Sequence, residues 1–189
     1  MCIRDRTLRA LDDLVRQGKV RYIGCSNHVA WQVVEAAWTA KSAGVSRFVS
    51  CQDEYSLLVR DVERELVPAM RSYDLGLLPY FPLACGLLTG KYRRDAKPED
   101  ARLTKSKDLA DRYMTDANWA IVEKLRSFAE ARGRSMLELA MSWLACQPVV
   151  SSVIAGATRP EQIEQNVAAV GWSLTAEDLA EIDRLTKAG

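Results

Sequence analysis

Residues 75–92 read Leu-Gly-Leu-Leu-Pro-Tyr-Phe-Pro-Leu-Ala-Cys-Gly-Leu-Leu-Thr-Gly-Lys-Tyr, and the interpretation of the whole chain starts from them. The apolar run at Leu77 and Leu78 is too short for a helix and has the length of a buried parallel strand. Pro79 and Pro82 are expected to end strand pairing, so that the backbone leaves the sheet at Tyr80. The small residues and the lysine that follow suit a nucleotide cradle, although a plain Pro/Gly turn is the alternative.

Three further short apolar runs predict strands at residues 19–26, 48–51 and 149–154. Helical patterns separate the predicted strands, and this alternation predicts an α/β fold with a parallel sheet in a single domain, residues 1–189. Residues 93–115 are polar and charged, and an irregular segment of that length is either a functional lid or partly disordered. Capping boxes are predicted to begin helices at Ser135, Thr158 and Thr175.

The composition excludes several classes of function. The 26 basic residues are balanced by 25 acidic ones, which argues against nucleic acid or an anionic membrane surface as the main partner. The longest apolar stretch, residues 137–157, is interrupted by polar residues, so no membrane span is predicted. The five cysteines form no Cys-x-x-Cys pair, and the first residues, Met-Cys-Ile-Arg-Asp-Arg, have no apolar core of signal-peptide length. Both observations predict reduced thiols in the cytoplasm. With His28 as the only histidine, no multi-histidine metal site is predicted.

Polar residues follow each predicted strand, at the edge of a parallel sheet where ligands bind. Ser26 and Asn27 follow the first strand and Gln52 the second, and their hydroxyl and amide groups suit a carboxamide. Tyr80 offers a face for stacking, and residues 156–158 before a helix suit a phosphate. A carboxamide-bearing ring joined to phosphates describes a nicotinamide dinucleotide. Each residue also has a purely structural alternative. Ser26 and Asn27 would cap the following helix, Gln52 would be a loop amide with satisfied hydrogen bonds, and Tyr80 would pack in the core.

Four segments in order resemble the aldo-keto reductase family, in which the β-subunits of voltage-gated potassium channels are also found. They are Gly-Lys-Val-Arg-Tyr-Ile-Gly-Cys-Ser-Asn (18–27), Gln-Asp-Glu-Tyr-Ser-Leu-Leu (52–58), Tyr-Phe-Pro-Leu-Ala-Cys-Gly-Leu-Leu-Thr-Gly-Lys-Tyr (80–92) and Gly-Ala-Thr-Arg-Pro-Glu-Gln-Ile-Glu-Gln-Asn (156–166). The resemblance implies a (β/α)₈ TIM barrel that binds NADPH across its C-terminal face. The chain would supply the C-terminal half of that barrel, strands 5–8.

The resemblance also implies roles for individual residues. Around the nicotinamide, Ser26, Asn27 and Gln52 would hold the carboxamide and Tyr80 would stack on the ring. The remaining cofactor-binding residues would line the pyrophosphate or hold the adenosine end, and they are Phe81, Pro82, Leu83, Cys85, Gly86, Lys91, Gly156, Thr158, Arg159, Gln162, Gln165 and Asn166. The family often has a basic residue at the position of Gln162. Arg159 is the candidate substitute for contact with the 2′-phosphate, and NADH is the alternative cofactor.

The family's catalytic Asp, Tyr, Lys and His all precede the position of Thr7, so the resemblance assigns no catalytic residue to this chain. Residues 1–6 do not match the family, which predicts an N-terminally truncated chain that is inactive alone and self-associates. The expected function is the NADPH-binding half of a reductase for small carbonyl or alcohol substrates. A non-catalytic NADPH-binding regulatory module and a phospho-sugar barrel enzyme are the alternatives, and the latter leaves Ser26, Asn27 and Gln52 unexplained.

Overall fold

Helices and short parallel strands alternate along the first part of the chain in a computed structural model that describes residues 5–96 and 98–187. These residues form two units. The first contains residues 5–54, Asp61–Tyr80 and Pro148–Ser152, and the second contains Tyr55–Arg60, Phe81–Gln147 except residue 97, and residues 153–187.

The first unit is a parallel sheet with helices between its strands. Its elements are α1 (Asp5–Arg16), β1 (Ile23–Ser26), α2 (Ala30–Ala43), β2 (Phe48–Glu54), α3 (Leu66–Ser72) and β3 (Gly76–Tyr80). The sheet has the order β1-β2-β3, and both pairs of strands are parallel, as the sequence predicts. The core of this unit includes Leu8, Val33, Met70 and Leu77, each at most 1% exposed.

Pro79 has a different effect on the sheet from the predicted one. It pairs with Asp53 within β3, so it does not end the pairing with β2. Tyr80 pairs in turn with Glu54 and is the last residue of β3, so the backbone leaves the sheet there, as expected. On its other side β3 makes one parallel bridge, in which Leu77 N–H donates to the carbonyl oxygen of Val149 at 2.7 Å.

The prediction of a fourth strand at residues 149–154 is therefore wrong. Among the described residues, this segment forms only the single bridge between Val150 and Leu77. Ser151 N–H donates to the carbonyl oxygen of Leu77 at 2.9 Å, and the next bond of a parallel ladder would need an N–H from Pro79. Proline has none, so the pairing ends there, whereas the bonds from β3 to β2 are made by other residues.

The second unit is mainly helical. Its elements are a 3₁₀ segment (Ala84–Thr89), α4 (Arg102–Lys105), α5 (Lys107–Tyr113), α6 (Asp116–Glu130), α7 (Met136–Ala145), α8 (Pro160–Ala168) and α9 (Ala176–Thr186). Its core includes Leu88, Leu125, Leu139 and Leu144, all with 0% exposure.

The polar segment of residues 93–115 is more regular than expected, because α4 and α5 occupy much of it. Leu103 and Tyr113 are each 1% exposed, and the backbone N–H of Leu103 donates to the buried Tyr92 hydroxyl at 3.0 Å. Two apolar anchors in a charged stretch are enough to pack these short helices. The prediction of a long irregular segment is wrong here.

Two of the three predicted capping boxes are confirmed, at Ser135 before α7 and at Thr175 before α9. The third is wrong, since α8 begins at Pro160 with Arg159 as the N-cap residue. Proline favours the first helical position, where its missing N–H has no partner to lose, and this moves the helix start one residue past Thr158. No helix in the described ranges is long and apolar enough to cross a membrane.

Candidate functional site

Four of the predicted residues come together at the carboxyl ends of the strands in the first unit. The Ser26 hydroxyl donates to the carbonyl oxygen of Gln52 at 2.8 Å and accepts a hydrogen bond from Asn27 Nδ2 at 3.0 Å. The Tyr80 hydroxyl donates to Asn27 Oδ1 at 2.7 Å. These hydrogen bonds fix the orientation of the Asn27 amide, and we call the four residues the strand-end cluster.

The parallel register explains how the cluster forms. Ser26 pairs with Gln52, and Tyr80 with Glu54, so the three strands end near one edge of the sheet. Asn27 adopts a left-handed backbone with φ of 55°, a conformation that asparagine tolerates better than most residues. Its backbone N–H donates to the Gln52 carbonyl oxygen at 3.2 Å, which ties the turn after β1 to β2.

The chemistry of the cluster fits a carboxamide. Ser26, Asn27 and Gln52 are exposed, and no other described residue hydrogen-bonds the Gln52 side-chain amide. Asn27 Nδ2 has a second N–H, and the Ser26 hydroxyl oxygen has a second lone pair. A carboxamide needs acceptors for two N–H groups and a donor for one carbonyl oxygen. This set can supply both kinds of partner.

Asp53 is a residue of this region that the sequence patterns did not single out. It follows Gln52 in β2, is 6% exposed, and its Oδ2 lacks a hydrogen-bond partner among the described residues. Burial raises the pKa of Asp53 to about 6, while the charge of His28 and a hydrogen bond from the Asn27 backbone act in the opposite direction. Successive side chains of a strand point to opposite faces of the sheet. Because Gln52 was expected at the ligand-binding edge, this alternation would have predicted that the next side chain, Asp53, points into the interior.

The predicted pyrophosphate residues lie in the second unit, in a loop of unusual backbone conformation. Phe81 and Cys85 have φ of 50° and 56°, and Gly86 and Gly90 have φ of 101° and 86°. A Cβ built on Gly86 would lie 3.3 Å from Cε of Lys91 and 3.4 Å from its Nζ, so the lysine lies against this glycine. The loop therefore places the backbone at Gly86, which has no side chain, beside the ammonium group of Lys91.

Other residues of this loop contribute less through their side chains. Pro82 and Cys85 are buried, and Leu83 is half-buried. The Arg102 guanidinium lies over the Phe81 ring at 4.9 Å from its centroid. The sequence patterns missed this arginine, which adds a second cation to the loop.

The predicted adenosine residues belong to α8 and the segment before it. Gly156, Thr158, Arg159 and Gln165 are exposed, while Gln162 and Asn166 are half-buried. The Gln162 Oε1 atom accepts hydrogen bonds from the backbone N–H of Thr158 at 2.7 Å and from its hydroxyl at 3.2 Å. Gln162 thus holds the turn that precedes α8. The side chain of Arg159, the N-cap residue, makes no capping hydrogen bond to this helix.

Comparison with known proteins gives consistent matches. Residues 4–187 match the model of the Aldo/keto reductase family. Over 169 residues the chain is 38% identical to a probable voltage-gated potassium channel subunit beta of Arabidopsis thaliana, which covers 88% of this chain and 52% of that protein.

Two bacterial relatives show similar coverage. The chain is 34% identical over 186 residues to the L-glyceraldehyde 3-phosphate reductase of Escherichia coli O157:H7, which covers 95% of this chain and 53% of that protein. It is also 34% identical over 175 residues to an uncharacterized oxidoreductase of Bacillus subtilis, with coverages of 93% and 52%. The chain spans about half the length of the curated relatives it matches.

Proposed function

The chain belongs to the aldo/keto reductase family, as its motifs predict, and we propose that it is the NADPH-binding part of a cytoplasmic oxidoreductase for small carbonyl compounds or alcohols. The observation that carries this proposal is the strand-end cluster, whose hydroxyl and amide groups match a nicotinamide carboxamide. When bound, NADPH supplies the hydride that reduces a carbonyl carbon.

In this proposal each residue of the strand-end cluster has a separate task. Asn27 Nδ2 donates to the carboxamide oxygen, and the Ser26 hydroxyl oxygen and the Gln52 amide accept its N–H groups. The Tyr80 hydroxyl holds the Asn27 amide in the required orientation, and the Tyr80 ring offers a face to the nicotinamide. The cluster would therefore bind and orient the ring.

The phosphates and the adenosine are assigned to the second unit by family resemblance. Lys91 would neutralise phosphate charge beside the backbone of Gly86, where a side chain is disfavoured. The exposed Arg159 would contact the 2′-phosphate that distinguishes NADPH from NADH. Proton transfer to the substrate is assigned to none of the residues of this chain, so we expect it to bind NADPH without turnover when alone.

A second candidate function is a regulatory module that binds NADPH without reducing a substrate. The identity of 38% to a protein described as a probable channel subunit beta supports this alternative. Both candidates require NADPH binding, and they differ in whether a full-length family protein that carries this sequence turns over an aldehyde.

The test is a titration of the chain with NADPH by isothermal calorimetry, after size-exclusion chromatography has defined the oligomeric state. Asn27→Ala and Gln52→Ala each remove hydrogen bonds of about 0.5–1.5 kcal/mol, so we expect the Kd to rise about 2-fold to 10-fold. Gln17→Ala, an exposed amide after α1, is the matched control and should leave the Kd unchanged.

The proposal fails if the folded chain does not bind NADPH, or if Asn27→Ala and Gln52→Ala bind as tightly as Gln17→Ala. An Arg159→Ala variant separates the cofactors, since its NADPH affinity should fall toward the NADH affinity. Loss of absorbance from NADPH with a small aldehyde, measured on a full-length family protein that carries this sequence, then distinguishes the reductase from the regulatory module.

A further inference from the structure

Two cysteines face each other across the β1–β2 ladder, next to the strand-end cluster. Cys25 is the register partner of Cys51, both thiols are free and buried, and their Sγ atoms are 3.1 Å apart. Neighbouring strands lie about 4.8 Å apart, within the Cα separation of about 4.4–6.8 Å that a disulfide spans. The sulfurs need to approach by only about 1 Å to reach the bonded distance.

The two thiols are chemically unequal. The hydrogen bond between them lowers the pKa of Cys25, because the Cys51 thiol stabilises the Cys25 thiolate, and it raises the pKa of Cys51. Cys25 is 9% exposed, whereas Cys51 is completely buried. Cys25 is therefore the less buried of the two cysteines and the one whose thiol more readily ionises.

We propose that Cys25 and Cys51 are a redox-active pair that small hydroperoxides convert into an intramolecular disulfide. The Cys25 thiolate attacks the peroxide oxygen, which breaks the O–O bond and gives a sulfenic acid and an alcohol or water. The Cys51 sulfur then displaces the sulfenic hydroxyl, which leaves as water. The two thiols lose two electrons and two protons, and the peroxide gains both.

Asp53 controls the rate of this step in the proposed scheme. Its negative charge opposes ionisation of both thiols, because it raises the pKa of each. His28 lies near the same carboxyl and partly offsets its charge. Asp53→Asn, which keeps the shape and removes the charge, should therefore speed the oxidation of the pair.

Tryptic mapping after exposure to hydrogen peroxide tests the proposal. Cys25 lies in the peptide 22–41 and Cys51 in the peptide 48–60, and neither contains another cysteine. We expect a cross-link between these two peptides that dithiothreitol reverses. In the Cys51→Ser variant, dimedone should instead trap a sulfenic acid on Cys25.

The controls address other sources of cross-links. The exposed Cys146 reports general thiol reactivity, and a mixture of isotopically light and heavy chains distinguishes bonds within one molecule from bonds between two. A sample in urea gives the pairing of an unfolded chain, in which all five cysteines compete.

The proposal is overturned if Cys25 and Cys51 are recovered reduced while Cys146 is oxidised, since they are then inert core thiols. It is also overturned if the native sample shows the scrambled pairing of the urea sample, or if the cross-link joins two molecules. An unchanged oxidation rate in Asp53→Asn would remove Asp53 from the scheme and contradict the role assigned to it.

The effect on the cofactor rests on the proposed function. Ser26 and Gln52 directly follow the two cysteines, so a disulfide that draws β1 and β2 together displaces the groups assigned to the carboxamide. We expect oxidised protein to bind NADPH more weakly than reduced protein. If reduced protein does not bind NADPH, the proposed function fails, while the peptide map still decides whether the disulfide forms.

Discussion

The buried carboxyl of Asp53 leads to a prediction about how the free energy of unfolding depends on pH. Its folded pKa of about 6, against 3.8 when unperturbed, means that the folded chain holds this proton more tightly than the unfolded chain. An acid with a raised pKa stabilises the fold only where it is protonated. Stability should therefore fall as the pH rises from about 4 to about 7 and show no further effect of this group above pH 7.

The magnitude follows from the difference of 2.2 between the pKa of about 6 and 3.8. At 1.36 kcal/mol for each pKa unit, ionised Asp53 costs about 3 kcal/mol above pH 7 and about half of that at pH 5. Asp53→Asn removes the charge and keeps an acceptor for the Asn27 backbone. Because the structure relaxes around a buried charge, we expect a gain of about 1–3 kcal/mol at pH 8.

Urea unfolding followed by circular dichroism at pH 4, 5 and 8 measures this gain. Asp13→Asn, an exposed position on α1, is the matched control and should have the same small effect at each pH. A gain of Asp53→Asn that does not grow between pH 4 and pH 8 refutes the reasoning. A carbon NMR titration of the Asp53 carboxyl that gives a pKa near 4 refutes it independently.

Three further predictions concern single contacts. Ser142→Ala should lower the free energy of unfolding by about 1–3 kcal/mol, a loss that urea unfolding measures. The reason is that the buried Ser142 hydroxyl donates to the Ala169 carbonyl oxygen at 3.0 Å and accepts from the backbone N–H of Trp172 at 3.2 Å. Gly24→Ala should lower the melting temperature measured by circular dichroism, because its Cβ would lie 2.9 Å from the Ser50 carbonyl oxygen, and an unchanged melting temperature would contradict this. Tyr80→Phe should raise the calorimetric Kd for NADPH about 2-fold to 10-fold, and equal affinity would show that the hydroxyl does not position the strand-end cluster.

The positions of the first three strands and their parallel pairing were predictable, because burial leaves a strong local pattern. Short apolar runs followed by polar residues gave β1, β2 and β3 within a few residues. The prediction that Pro79 ends strand pairing failed for the pairing with β2. A sequence pattern does not tell which of the two neighbouring strands the N–H of a given residue would face. The missing N–H has no effect on the pairing with β2 and ends the pairing with residues 149–151.

The candidate site shows the same division between pattern and geometry. Ser26, Asn27, Gln52 and Tyr80 were identified because strand ends meet at one edge of a parallel sheet, and their hydrogen bonds agree with that prediction. The orientation of the Asn27 amide was not predictable, because it depends on the distant Tyr80 hydroxyl.

The residues on the opposite side of the same strands escaped notice for a physical reason. Cys25, Cys51 and Asp53 alternate with the cluster residues and point into the interior, where a sequence pattern suggests only packing. A buried carboxyl beside a thiol pair changes the energetics of both, since the charge opposes thiolate formation and the apolar surroundings oppose the charge. One face of β1 and β2 therefore carries the proposed cofactor contacts, and the other carries the groups that we propose respond to oxidants.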